Sequence, residues 1–242
     1  MWDHVGMRAS DFEASTRFYD LVLGALGIER TASGHGIIEW EPLALGPVEA
    51  HTRVTRGLHI GFTAPSREHV DAFWRAGVEA GYADDGAPGP RPEYGADYYG
   101  GFLLDPDGNS AEAVHHDRVG ERTVIDHLWF RSADVEAAKA FYVALAPHTG
   151  AELHEGLPGH AHFGGEGGSF TFVSDDRPAT EGVHVAFPGA DHEAVRAFHR
   201  DALAAGYRDN GGPGERPEYH EGYYGAFVLD PDGTNVEVVF HG

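Results

Sequence analysis

The 242-residue chain has no cysteine, few cations and no long apolar run, and each deficit narrows what it can do. Without cysteine there is no disulfide, no thiolate nucleophile and no thiolate-held zinc or iron–sulfur centre, so any bound metal must be held by nitrogen and oxygen. Lys and Arg number 17 against 39 Asp and Glu, a formal net charge of −22 at pH 7. Affinity for duplex nucleic acid or an anionic membrane comes from Lys and Arg neutralising phosphate, so neither is an expected partner. No apolar run approaches the ~18 residues of a membrane span, and no basic segment leads into an apolar one as in a signal peptide. A small molecule is the expected partner and the cytoplasm the expected compartment.

Histidine, by contrast, is abundant, with 17 copies, and several of them recur in register. An Asp-His dipeptide opens a strand-like run at His4 and again at His127. Gly-x-His opens another at His59 and His184, and a Glu follows a DPDG turn at Glu112 and Glu237. The offsets are 123, 125 and 125 residues (127−4, 184−59, 237−112), so the second copy carries two inserted residues between its first His, His127, and its second, His184. The chain is a duplicated module, read as residues 1–118 and 123–242 with the boundary in the polar stretch Asp117 to Thr123. Each copy is long enough to own a core. Each also carries two imidazoles and one carboxylate, the ligand set of a 2-His-1-carboxylate site with open coordination positions.

Within each copy the apolar period switches between two and 3.6. Asp3 to Arg8 and Asp126 to Arg131 alternate, with Val5 and Met7, or Leu128 and Phe130, on one face and the His and Arg on the other. A helix follows, with a capping box of Ser10 and Glu13 in the first copy. Its apolar stripe is Phe12, Tyr19 and Val22, or Val135, Ala138, Tyr142 and Leu145 in the second copy. Short strands are expected over Gly36 to Glu41, Val48 to Val54, around Ala161, and Gly168 to Ser174. The strand of His59 or His184 leads into a helix begun at Ser66 or Asp191 and closed by Gly81 or Gly206. A Gly- and Pro-rich loop then reaches YYGGFLL or YYGAFVL, the DPDG turn, and the strand with the Glu. Each copy therefore reads β-α-β-β-β twice. The expected fold is α+β: tandem modules, each of two βαβββ units forming a cupped sheet with helices outside and the His and Glu strands lining the cup.

This order, His in the first strand, His in the fifth and Glu shortly after a DPDG turn in the eighth, resembles the vicinal oxygen chelate superfamily, which includes glyoxalase I, extradiol dioxygenases and bleomycin or fosfomycin resistance proteins. The resemblance covers essentially the whole chain. Its most specific stretch is RPEYHEGYYGAFVLDPDGTNVE, Arg216 to Glu237, with RPEYGADYYGGFLLDPDGNSAE in the first copy. It implies metal ligands His127, His184, Glu237, His4, His59 and Glu112. A site may lie inside one module or be built from halves of two, so His4 either joins His59 and Glu112 or shares an ion with His184 and Glu237. Fe(II), Zn, Ni, Mn and Co all suit such ligands. The ion could chelate vicinal oxygens, act as a Lewis acid toward an enediolate, or bind dioxygen if it is Fe(II).

Other residues carry finer expectations. Arg8 and Arg131 lie four residues beyond His4 and His127 on the same face, roughly 13 Å along a strand at about 3.3 Å per residue. In the glyoxalase I pattern such an Arg anchors a substrate carboxylate; the bland alternative is a surface ion pair. Glyoxalase I also uses a second carboxylate from the fourth strand, for which Glu49 is the nearest candidate, with Glu39 and Glu41 behind it. The second copy offers only Thr171 and Phe172 there. Toward the dioxygenases, His220 occupies a loop position where the extradiol signature has a substrate-binding His, replaced by Gly95 in the first copy. That signature wants a Tyr where Phe227 and Phe102 stand, and Tyr223 or Tyr224 could substitute as proton donor. The resemblance thus implies a divalent-metal-dependent lyase, isomerase or dioxygenase acting on a vicinal-oxygen substrate. The alternative is a metal-independent drug- or metabolite-binding protein whose cup is lined by Trp40, Trp129, Tyr98 and Tyr223. Tandem modules supply internal pairing, so a monomer is expected, with a homodimer as the alternative.

Overall fold

The computed structural model describes residues 1–34, 36–116, 123–154 and 159–242. The first quarter is β1 (His4–Ala9), α1 (Phe12–Gly24), β2 (Ala32–Gly34), β3 (Ile37–Trp40) and β4 (Leu43–Pro47); the next is β5 (His59–Thr63), α2 (Arg67–Glu79), β6 (Ala83–Pro90), β7 (Tyr99–Leu104) and β8 (Ser110–His115). The second half repeats it as β9 (Ile125–Arg131), α3 (Val135–Thr149), β10 (Glu152–His154), β11 (His160–Gly165) and β12 (Gly168–Val173), then β13 (His184–Pro188), α4 (His192–Ala204), β14 (Arg208–Glu215), β15 (Tyr223–Leu229) and β16 (Asn235–His241). The architecture is α+β, four βαβββ units in two tandem copies. The expected boundary residues 117–122 lie outside the described residues.

The compact units are not the two tandem halves. One consists of Met7–Trp129, and the other joins Met1–Gly6 to Phe130–Gly242. In the first, the strands run in the order β6-β7-β8-β5-β9, with β5 parallel to β8 and antiparallel to β9. Helix α2 covers one face, burying Val70 and Phe73. Helix α1 packs beside α2, and its Phe18 and Tyr19 meet Tyr82, Trp40 and Phe62 edge-on or tilted. In the second unit, β14-β15-β16-β13 is completed by the start of β1, which pairs antiparallel with β13 through His4, Val5 and Gly6. There α4 covers the ladder, and α3 packs Tyr142 against Phe163, Phe170 and Phe172 of β11 and β12.

Alternation in β1 is as expected: Val5, Met7 and Ala9 are buried while His4 and Arg8 are partly exposed. Three expectations need correction. Asp11, not Ser10, caps α1, its carboxylate accepting from Ala14 N–H. Ser10 is committed elsewhere, its N–H and Oγ–H both donating to Asp107 of the DPDG turn at 2.9 and 2.6 Å. The strand expected over Val48 to Val54 is instead Leu43–Pro47, where Leu43 and Leu45 alternate into the core. Residues 49–52 form a turn, with Thr52 N–H on the Glu49 carbonyl and the Glu49 N–H donating to Thr52 Oγ. The Gly- and Pro-rich loops begin as edge strands β6 and β14, where a proline costs no inner ladder bond. Register shifts between Asp84 and Gly86 and between Gly86 and Gly89, repeated in β14, bend these strands and curve the ladder into a cup.

Candidate metal centres

Each unit gathers one His-His-Glu group on the face away from its helix. In the Met7–Trp129 unit it is His59, Glu112 and His127; in the other it is His4, His184 and Glu237. Of the two pairings compatible with the sequence, the structure brings together the one that mixes the copies.

Parallel pairing sets β5 beside β8, with Glu112 level with Gly61 and two residues along from His59, and antiparallel pairing brings His127 level with Gly61 too. Nε2 of His59 stands 3.0 Å from Nε2 of His127 and 3.0 Å from Oε2 of Glu112, and His127 Nε2 is 3.2 Å from that same oxygen. In the other unit His184 Nε2 is 3.0 Å from His4 Nε2 and 2.9 Å from Glu237 Oε2, with His4 Nε2 at 3.7 Å. Both glutamates are 1 % exposed. The second carboxylate oxygen is held by a phenol: Tyr98 Oη–H donates to Glu112 Oε1, and Tyr223 Oη–H to Glu237 Oε1, each at 2.7 Å.

The far sides of the imidazoles decide what the near sides can do. Asp126 Oδ2 accepts from His127 Nδ1–H at 2.8 Å, and Asp3 Oδ1 from His4 Nδ1–H at 2.8 Å. Ser110 donates its own proton to Asp85 at 2.7 Å, so its oxygen accepts from His59 Nδ1–H at 3.1 Å. With Nδ1 protonated, Nε2 presents a lone pair. In the Met7–Trp129 unit two such lone pairs and a carboxylate oxygen therefore converge within hydrogen-bonding distance of one another, which is repulsive unless a cation, metal or proton, sits among them. The protonation balance shows the same demand. Burial would push Glu112 up, but its bonds to His127 and His59 hold it at about 2. Burial likewise opposes charge on His127, yet Asp126 and Glu112 push it up to about 10. Burial lowers His59, and Asp126 is held below the usual carboxylate range by His116 and His127 despite its own burial. The donor set, two imidazole nitrogens and one carboxylate oxygen with oriented outer partners, fits a divalent ion of the borderline class.

Other candidates fall in different places. Tyr224 lies on the helix side of β15, stacked on His192 at 4.0 Å and within 3.4 Å of Arg196, so it does not reach the carboxylate as Tyr223 does. Glu49 is exposed in the turn after β4, beside His51 at 3.4 Å, and belongs to neither group. His220 is exposed, with Nε2 2.9 Å from His241 Nδ1; His241 in turn reaches Asp3 at 2.9 Å, so His220 connects to His4 only through two intermediaries. Arg131 pairs with Asp175 at 3.2 Å, the bland alternative, whereas Arg8 bonds the Pro47 carbonyl at 3.3 Å and has no carboxylate partner among the described residues. Trp129 stands edge-on to His59 at 6.3 Å and flanks that centre. Phe102 and Phe227 lie 5.9 and 6.0 Å from His59 and His184, where no phenol is available. The outer partners Asp3, Asp126, His116 and His241 were not anticipated. Their signal was present: each Asp directly precedes a candidate ligand, and His116 and His241 recur at the same 125-residue offset (241−116).

Among the described residues, four βαβββ units and two 2-His-1-carboxylate groups define a protein of tandem vicinal-oxygen-chelate architecture. The family model for the glyoxalase/bleomycin resistance protein/dioxygenase superfamily matches residues 2–113 and 124–238, and the chain belongs to that superfamily. Glyoxalase I from Zea mays is similar over 99 % of this chain and 92 % of its own, with a TM-score of 0.71 at 18 % identity. A candidate dioxygenase from Bacillus subtilis is similar over 99 % of this chain and 84 % of its own, with a TM-score of 0.65 at 15 % identity. These likenesses establish the fold. No curated protein matches the sequence. No helix among the described residues is long and apolar enough to cross a membrane.

Proposed function

We propose that the protein is a divalent-metal-dependent enzyme of the glyoxalase/dioxygenase type that acts on a small molecule with vicinal oxygens. The observation that carries this reading is the convergence of two imidazole Nε2 atoms and one carboxylate oxygen within 3.0–3.2 Å in the Met7–Trp129 unit, with both Nδ1 atoms engaged behind. His59, His127 and Glu112 would hold one ion, and His4, His184 and Glu237 another. Bound there, a divalent ion supplies open positions at which two adjacent substrate oxygens can be chelated and polarised.

The protein's own residues do the rest. Asp126 and Asp3 fix the ring orientation and tautomer of His127 and His4, so the ligand atoms need no rearrangement. Tyr98 and Tyr223 each donate to Oε1 of the glutamate, leaving Oε2 to face the imidazoles, where it would be available to a metal. Both phenols are held well above the usual tyrosine range by burial and the adjacent carboxylate, so they remain hydrogen-bond donors and do not ionise. Phe102 and Trp129 flank His59 and give its centre an apolar rim. Arg8, without a carboxylate of its own, is the candidate anchor for an anionic substrate tail.

The test is metal analysis of protein purified without chelator, beside His59→Ala and His184→Ala, followed by turnover of hydroxyketones, thiohemiacetals and catechols with and without added metal. Each substitution is expected to remove one equivalent. Bound metal unchanged by both ends the proposal.

A further inference from the structure

The two centres share their ligands but differ in what stands behind them. Behind His59 lies a hydroxyl whose proton is committed: Ser110 Oγ–H donates to Asp85 Oδ2 at 2.7 Å and accepts from His59 Nδ1 at 3.1 Å. The equivalent residues 125 positions on are Asn235 (235−110) and Asn210 (210−85). Asn235 Nδ2 lies 2.5 Å from His184 Nδ1, and its Oδ1 accepts from Asn210 at 2.8 Å. An amide can turn either end to the ring, so Asn235 does not commit Nε2 of His184 to a lone pair as Ser110 commits that of His59. The carboxylate count differs in the same sense: Glu112, Asp126 and Asp85 stand around one centre, Glu237 and Asp3 around the other.

Depth differs as well, and a single residue accounts for it. Opposite His127 on the neighbouring strand is Gly61, where a Cβ would lie 2.3 Å from the ring, so the imidazole occupies space that only glycine leaves. Opposite His4 is Ala186, whose methyl group fills that space. Accordingly the His127 side chain is 9 % exposed and that of His4 27 %.

We infer that the two centres bind metal unequally: that of His59, His127 and Glu112 is the tight, slowly exchanging one, and Asp85 is its positioning residue, acting through Ser110. The centre of His4, His184 and Glu237 is the open, exchangeable one. This rests on the metal dependence proposed above and says which centre keeps its ion.

The experiment is a cobalt(II) titration of the full-length, chelator-stripped chain, read by visible absorption, with His59→Ala and His184→Ala assigning the phases. Two phases are expected, separated by at least about tenfold in Kd, the tighter lost in His59→Ala. Asp85 is exposed, so Asp85→Asn spares the fold, and with Ser110→Ala it should weaken that phase alone, by about tenfold, the low end of the range for outer partners. Ser110→Thr, which keeps the hydroxyl, should restore it. Transferring the relay with Asn210→Asp and Asn235→Ser should strengthen the weaker phase. Two phases of equal affinity, or an Asp85→Asn effect on the phase that His184→Ala removes, overturn the inference while leaving metal dependence intact. Absence of cobalt from both centres overturns the proposed function and this inference with it.

Discussion

Gly225→Ala tests the centre of Glu237 at one atom. Gly225 sits in the interior of β15, paired with Val239 on one side and Gly214 on the other, in a backbone conformation open to any residue. A Cβ built there lies 2.4 Å from Glu237 Oε1 and 3.2 Å from Tyr223 Cε1. Carbon–oxygen contacts in sheets settle near 3.3 Å or beyond, so the carboxylate must retreat by about 1 Å. Metal–ligand distances tolerate only ~0.2 Å, and the retreat also breaks the bond from Tyr223, whose hydrogen lies on the displaced oxygen. Losing one of three ligands should weaken metal binding at that centre at least about a hundredfold, or ~2.7 kcal/mol. The strand itself should not suffer, because alanine has less backbone entropy to lose than glycine. Gly212→Ala, where a Cβ meets nothing within 4 Å, is the control. The assay is cobalt titration beside thermal melting. Gly225→Ala should keep a melting temperature close to that of Gly212→Ala while its His184 phase disappears. An unchanged affinity in that phase would show that Glu237 does not ligate, and Gly100→Ala, with the same 2.4 Å approach to Glu112, would then be expected to spare its own centre too.

Three further outcomes follow from the same geometry. Asp107→Ala should cost about 2–3 kcal/mol in urea unfolding, because it leaves the Ser10 N–H and hydroxyl without their acceptor; a loss below ~0.5 kcal/mol would place those bonds among solvent-replaceable ones. Burial pushes Asp230 up to about 6, so the folded state prefers its neutral form, and as pH rises from about 4 through 6 the parent should lose up to ~3 kcal/mol that Asp230→Asn keeps. A stability difference between the two that stays flat from pH 4 to 7 would refute this. Arg8→Ala should raise KM for an anionic substrate about tenfold with bound metal unchanged, whereas Arg131→Ala should leave KM alone because Asp175 already occupies that guanidinium; equal effects would argue against the distinction.

Elements with strong apolar periodicity could be read from the sequence, and those built by backbone accommodation could not. The alternation of Val5, Met7 and His4 and the stripe of Val135, Ala138, Tyr142 and Leu145 report burial directly, and both elements are found where expected. Strand β6, ADDGAPGP, carries no such alternation: its glycines and prolines are there because it is a bulged edge, held by pairing with β7 and not by side-chain burial. Ser10 misled for a different reason. Its hydroxyl suits a helix cap, but Asp107, 97 residues away, competes for it, and no local pattern reveals a distant acceptor.

The six candidate ligand positions stand out because metal chemistry restricts residue type and the duplication shows each type twice. Their partition does not, because nothing local distinguishes a first strand that pairs within its copy from one that pairs with the other. What decides it is sheet pairing: His4 lies level with Ala186 on β13, and His127 level with Gly61 on β5. Each His-His-Glu group therefore takes one residue from one copy and two from the other, and neither copy alone supplies a complete group. Duplication within a single chain then has a chemical consequence. The two centres differ in their outer residues, Ser110 and Asp85 against Asn235 and Asn210, while each depends on a first strand from the other copy.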